Sequence, residues 1–143
     1  MKKLNWQQAM EFCQNLEFAG HTDWRLPSRK ELNSLIDDTQ VTHSLPISHP
    51  FLNVQPSAYW SSSTHAYYTY DACYVGLGYG YVFNFDKHDF NYVWPVRGGQ
   101  FDHSGFLILS ELLDGQERFT DNLDGTVKDN RTGLIWLKNL NSI

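Results

Sequence analysis

The spacing of apolar residues changes once along this chain, and that change restricts the fold more than any other feature. Near the N-terminus Trp6, Ala9, Met10, Cys13 and Leu16 recur three or four positions apart, which draws one stripe on a helix. Asn5 stands where a helix is capped, and Gly20 where a left-handed residue closes one. A second helix opens at Pro27-Ser28-Arg29-Lys30-Glu31, with Ser28 and Glu31 as a capping box and Leu32, Leu35 and Ile36 as its buried stripe. From residue 58 the period becomes two. Residues 59–62, 72–77, 81–86 and 90–96 read as strands, with Gly76, Gly78 and Gly80, then Lys87-His88-Asp89, in the turns. Tyr81, Phe83 and Phe85 alternate with Val82, Asn84 and Asp86, the pattern of a half-buried antiparallel strand. Residues 118–137 read as a meander turned at Asp124-Gly125 and Thr132-Gly133. Helices first and strands after predict an α+β domain, two helices packed on a twisted antiparallel sheet.

The chain of 143 residues fits one domain with its own core. A net charge of −5, with no cluster of Lys and Arg, disfavours a nucleic acid or an anionic membrane as partner. No apolar run is long enough for membrane insertion. Met1-Lys2-Lys3 leads into polar residues, so this chain carries no signal peptide; it is cytoplasmic or a piece of a longer exported protein. Cys13 and Cys73 are either bridged, if the protein is exported, or two buried thiols. Residues 37–57, with Pro46, Pro50 and Pro56, form a long loop of the kind that is functional or mobile.

Several strings then resemble a known family. They are Gly20-His21-Thr22-Asp23-Trp24-Arg25-Leu26-Pro27-Ser28, Glu31-Leu32, Leu35-Ile36, Tyr59-Trp60-Ser61-Ser62-Ser63 and Val96-Arg97-Gly98-Gly99. Together they resemble the Lcl C-terminal domain family, named for a bacterial collagen-like adhesin. The resemblance implies a C-type-lectin-like fold, glycosaminoglycan binding and trimers. The acidic charge makes sulfated glycans a poor expectation for this member. The tail from Arg118 to Trp136 looks like the opening hairpin of such a domain, although here it comes last. Either it opens a next tandem copy, or it completes this domain, in cis or by exchange with a neighbour. Because Phe119, Val127, Leu134 and Trp136 need a core, residues 118–137 are expected to pack on the sheet of residues 58–97. The organisation expected is a core at 1–99, a connector at 100–117 and a hairpin segment at 118–143.

Candidate binding residues come from two clusters. All eight tyrosines lie between Tyr59 and Tyr92. Tyr74, Tyr81 and Tyr92 are assigned to packing, since tyrosine is favoured in strands. Tyr67, Tyr68, Tyr70 and Tyr79 fall in loops or turns, where a rigid ring with a polar tip suits recognition. Asn84, Asp86, Asp89 and Asn91 offer hard oxygens of the sort calcium takes, but the lectin calcium motifs are absent and Asn and Asp are ordinary turn formers. The turn reading is favoured and no metal is expected. Asp121-Asn122-Leu123-Asp124-Gly125 reads as a hairpin turn, because the acids an EF-hand needs are replaced by Thr120 and Arg131.

Catalytic signals are weak. Ser61-Ser62-Ser63 lacks a glycine elbow, and Cys13 lies on a buried stripe. His43, His49, His65, His88 and His103 share no ligand spacing and read as solvated loop residues. The cysteine pair of the formylglycine-generating enzymes, which share the wider fold group, is missing near Arg97-Gly98-Gly99. Arg25 is expected to pair with Asp23 or a loop acid, and Trp24, Trp60 and Trp94 to form the core. The expectation is a non-catalytic module, extracellular or in the cell envelope as part of a longer protein. It binds carbohydrate or protein through residues 43–57, 63–70 and 76–80, or it is an assembly module that oligomerises through its C-terminal hairpin.

Overall fold

The computed structural model describes residues 2–39, 45–98 and 117–143. His43, His103, Gly99, Pro46's preceding loop residues 40–44 and the apolar run at 106–109 and Leu112-Leu113 therefore split: Pro46 is described, and the others lie outside the described residues.

Chain order is β1 (Lys3–Leu4), α1 (Trp6–Gln14), α2 (Arg29–Asn33), β2 (Ala58–Thr64), β3 (Asp71–Gly76), β4 (Tyr81–Asp86), β5 (Asn91–Tyr92), β6 (Val96–Arg97), β7 (Phe119–Asp121), β8 (Thr126–Asp129) and β9 (Ile135–Leu137). Both helices start where their caps require. Asn5 accepts from the Gln8 N–H while Gln8 reaches back to Asn5, and Ser28 and Glu31 do the same. Gly20 has a different task from the one expected. α1 ends at an Asn15 cap, and Ala19 and Gly20, at φ 52° and 75°, form the tight turn that pairs Phe18 with His21.

The strands form two sheets, ordered β1-β5-β2-β3-β4 and β6-β9-β8-β7. The larger sheet is mixed rather than antiparallel throughout, because β5 runs parallel to β2 with Tyr59 opposite Tyr92. The strand expected over 90–96 is broken into β5 and β6, which belong to different sheets. The tail makes its own pairing: β9 lies antiparallel to β6, with Val96 opposite Trp136. It joins the larger sheet through side chains rather than backbone.

Side-chain alternation on β2 and β3 feeds two cores. Trp60, Ala72 and Tyr74 meet Ala9 and Cys13 of α1, together with Leu26 and Val93. On the other face Tyr59 and Val75 meet Trp24, Leu32 and Leu35 from the region of α2, Phe51 from the long loop, and Val127, Leu134, Trp136 and Leu137 from the tail. Trp24 and Trp94 thus share one core while Trp60 lies in the other. Phe51 stacks edge-on to Trp94 at 4.8 Å and to Phe119 at 5.1 Å, so the loop is anchored. The Trp94 indole N–H donates to the Leu137 carbonyl at 3.0 Å.

Buried charge is paired. Asp129, fully buried, accepts from Arg118 at 2.9 Å, and Arg118 also donates to the Ser34 carbonyl behind α2. Arg25 pairs with Glu31 rather than Asp23, in a bidentate contact of 2.9 and 2.7 Å. Asp23 instead takes Arg97, at 2.7 and 3.1 Å. Burial alone pushes the Glu31 carboxyl up. The Arg25 guanidinium and the Ser28 N–H outweigh that and hold it below its ordinary value. Both cysteines are buried free thiols, and burial pushes Cys13 up to about 12. Among the described residues no helix is long and apolar enough to cross a membrane.

Candidate functional site

The concave feature richest in recognition chemistry is a groove of about 520 Å³ along one face of the larger sheet, from the β3–β4 turn to the turn after β4. Its aromatic wall is Tyr79, Tyr81, Phe85 and Phe90, and Lys3, Ser57, Asp89 and Asn91 supply polar groups. Local chemistry builds each wall. The β3–β4 turn is held to the long loop by the Leu77 N–H on the Ser57 carbonyl at 2.9 Å, and the Gln55 N–H donates to the Tyr59 hydroxyl at 2.7 Å. Gly78 sits so close to the loop that an added Cβ would lie 3.0 Å from the Pro56 carbonyl oxygen. Gly76 lies under the Tyr81 ring, where an added Cβ would come within 2.8 Å of it. A ring laid over a cross-strand glycine keeps its outer face free.

The opposite wall hangs on α1. The Trp6 N–H donates to the Lys87 carbonyl at 3.0 Å, and the Lys87 ammonium sits 4.2 Å from the Trp6 ring. Lys87 also donates to the Thr69 carbonyl at 2.7 Å. The turn that carries Asp89 and Phe90 is therefore pinned from both sides. Asn91 is buried, yet its side-chain amide nitrogen has no hydrogen-bond partner. The Trp136 indole nitrogen, deep in the core, stands the same way among the described residues.

The expected site residues separate. Tyr79 and Asp89 line this groove. Tyr67, Tyr68 and Tyr70 lie beyond the Thr64–Ala72 pair and do not line the groove, which runs from the Ala58–Gly76 pair along β4 to Phe85 and Phe90. His65 organises the loop of these tyrosines: its Nδ1 accepts from the Tyr67 and Tyr68 N–H groups at 3.2 and 3.1 Å, and its ring stacks on Tyr68 at 5.2 Å. His65 is thus a structural residue of that loop. A smaller depression of about 390 Å³ runs from Tyr67 to Arg29. Of the binding side expected from 43–57, 63–70 and 76–80, residues 63–67 line one depression and 56–57, 76 and 78–79 another, and residues 43–44 lie outside the described residues.

Asn84 and Asp86 take neither place. Asn84 donates to Asp71 at 3.0 Å, and Asp86 accepts both the His88 N–H and its ring at 2.8 Å. The His88 backbone donor, then its ring, hold the Asp86 carboxyl below its ordinary range. Among the described residues no three His, Cys, Asp or Glu stand close enough to hold a metal ion. Asp121 and Asp124 close their own turn, accepting from Leu123 and Thr126.

Tyr81 corrects the packing assignment. It is 46% exposed, as Phe83 is at 63% and Phe85 at 38%. The half-buried alternation expected of β4 is not found: only Asn84, on the other face, is less than exposed, because β4 is the sheet's edge and the core against α1 stops at Tyr74. Tyr74 stacks on Phe85 at 4.4 Å and leaves the outer ring faces open. Phe85 and Phe90 were not singled out for a groove by the sequence, and Asn91 entered only as a candidate oxygen ligand. The cue was Gly76, Gly78 and Gly80 around Tyr79 and Tyr81, since glycines mark where backbone approaches something closely.

A family model described as the Lcl C-terminal domain matches residues 1–97. No curated protein and no solved structure matches significantly.

Proposed function

This chain belongs to the Lcl C-terminal domain family, and on that premise we propose that it is a non-catalytic carbohydrate-binding module of a bacterial surface or exported protein. The C-type-lectin-like fold is part of the same proposal. The observation that carries it is the groove beside the β3–β4 hairpin, which joins four aromatic rings to the polar groups of Lys3, Ser57 and Asp89. Sugar rings offer C–H faces that stack on aromatic rings and hydroxyls that pair with amides and carboxylates. Tyr79 and Tyr81 lie nearly parallel, 25° apart with centroids at 6.5 Å, and so present two stacking planes along one line.

The charge of −5 favours a neutral glycan over a sulfated one. Calcium has no part in this reading, since Asn84 and Asp86 are spent on Asp71 and His88. A non-catalytic role is supported by Cys13, whose thiol stays protonated at neutral pH. The protein would reach the cell surface as part of a longer chain.

The test is a glycan array probed with the purified chain, once with calcium and once with a chelator. The expected result is a neutral-glycan hit that survives chelation and is lost in Tyr79→Ala. A hit that needs calcium, or that Tyr79→Ala leaves intact, would move the site elsewhere. No hit under either condition sinks the carbohydrate reading.

A further inference from the structure

The second observation is an open strand edge. β4 closes one side of the larger sheet, and its outer flank pairs with nothing among the described residues. The hydrogen-bond phase follows from the Lys87 N–H on the Tyr70 carbonyl at 2.9 Å, which makes Asp71 and Asp86 a non-bonded pair. Tyr81, Phe83 and Phe85 then exchange backbone bonds with β3, while Val82 and Asn84 point their N–H and C=O groups outward. Asp86 also points outward, but its carbonyl is taken by the Asp89 N–H at 2.9 Å.

Natural edges are guarded by lysine, proline, bulges or brevity. The other edges here follow that rule. β1 has two residues and includes Lys3, and β7 has three and ends at Asp121, which is paired to Lys138. β4 has six residues, with no charge before Asp86, no proline and no bulge against β3.

We propose that β4 is a self-association edge, on which a second copy of this chain pairs antiparallel about a two-fold axis through Phe83. The register is set by the free groups. With Phe83 opposite its own counterpart, Val82 faces the second copy's Asn84 and exchanges two backbone bonds, and symmetry adds the same two again. All of these use groups that point outward. The same register sets Tyr81 against the second copy's Phe85, so one face becomes a continuous aromatic ladder. Centring on Asn84 instead would call on the Asp86 carbonyl, which is already occupied. Asp86 also lies beyond the ladder in the Phe83 register, so like charges do not meet. The pairing goes beyond the carbohydrate reading and does not depend on it.

Sedimentation of the purified chain across micromolar to millimolar concentration tests the idea, with amide hydrogen exchange alongside. The expected result is a monomer–dimer equilibrium in which the Val82 and Asn84 amides gain protection as concentration rises. Val82→Pro removes an outward donor without touching the β3 ladder, and Phe83→Lys sets two like charges face to face. Each is expected to weaken association by about tenfold or more while melting like the parent. Tyr79→Ala, outside the strand, is expected to leave association unchanged. A chain monomeric throughout, or a dimer indifferent to both folded variants, overturns the proposal.

Discussion

The two hairpin regions of this molecule spend their residues in opposite ways. The tail meander of β7, β8 and β9 turns Val127, Leu134, Trp136 and Leu137 inward until each is fully buried, and fixes its turns with Asp129 and Asp121. Its long reach is toward α2, through Arg118. The β3–β4 hairpin buries one strand and leaves the other open: β3 is buried from Ala72 to Gly76, whereas Tyr81, Phe83 and Phe85 remain substantially exposed. The two are of similar length, but the β3–β4 hairpin carries Tyr74, Tyr79, Tyr81, Phe83 and Phe85 where the meander carries only Phe119 and Trp136. Position separates them too, since the meander faces the large core and β4 faces solvent. A strand's apolar residues report stability where a second layer covers them, and they become candidates for contact where none does.

That contrast should appear directly in mutant stabilities. The largest loss is expected from Asp129→Ala, which strands the Arg118 guanidinium in the interior; about 3–5 kcal/mol should be lost in denaturant unfolding. A loss under about 1 kcal/mol would mean the meander is not the stabilising half. Glu31→Gln should cost about 2 kcal/mol at neutral pH, because Arg25 and the Ser28 N–H lose a charged acceptor. Its pH dependence follows from the depressed carboxyl. The contribution is complete above the ordinary value of 4.5 and fades as pH falls through the lower folded value, so the gap between parent and variant should narrow in acid. Melting temperatures measured from neutral pH to below 4.5 would show this, and a gap that widened in acid would contradict it.

Gly78→Ala tests the wall of the groove. Its Cβ meets rigid backbone at Pro56, and a cost of about 1–2 kcal/mol with weakened ligand binding is expected. A well-folded variant with intact binding would show that the wall yields. Phe83→Lys should change monomer stability by no more than about 0.5 kcal/mol, as an exposed substitution does. A large loss there would mean that β4 is part of the core, and the comparison would fail.

Much of the local structure was legible in the sequence. Asn5, Ser28 and Glu31 announced both helix starts because a capping box involves only residues three positions apart. The Asp124-Gly125 and Thr132-Gly133 turns were equally readable, and both glycines have positive φ. Longer-range features were harder. Arg25 had Asp23 as a near neighbour in sequence, but the helix that starts at Ser28 brings Glu31 to it instead. Tyr81 looked like Tyr74, since both sit in alternating strands, and only their rank in the sheet separates them. The break between β5 and β6 did have a marker, since Pro95 interrupts the run 90–96 and cannot donate to a ladder, but only the fold shows that the chain leaves one sheet there to join another.

The sequence by itself determined the α+β class, the family, the caps, the turns and most of the strands. All of these depend on residues a few positions apart, whose dihedral preferences and hydrogen bonds are settled locally. Tertiary structure alone decided which aromatic faces meet solvent, which tyrosines share a surface, and which acid each arginine holds. Burial and ion pairing depend on what lies across the core, and here that is set by a tail that contributes Val127, Leu134 and Trp136 to a core begun about a hundred residues earlier by Trp24.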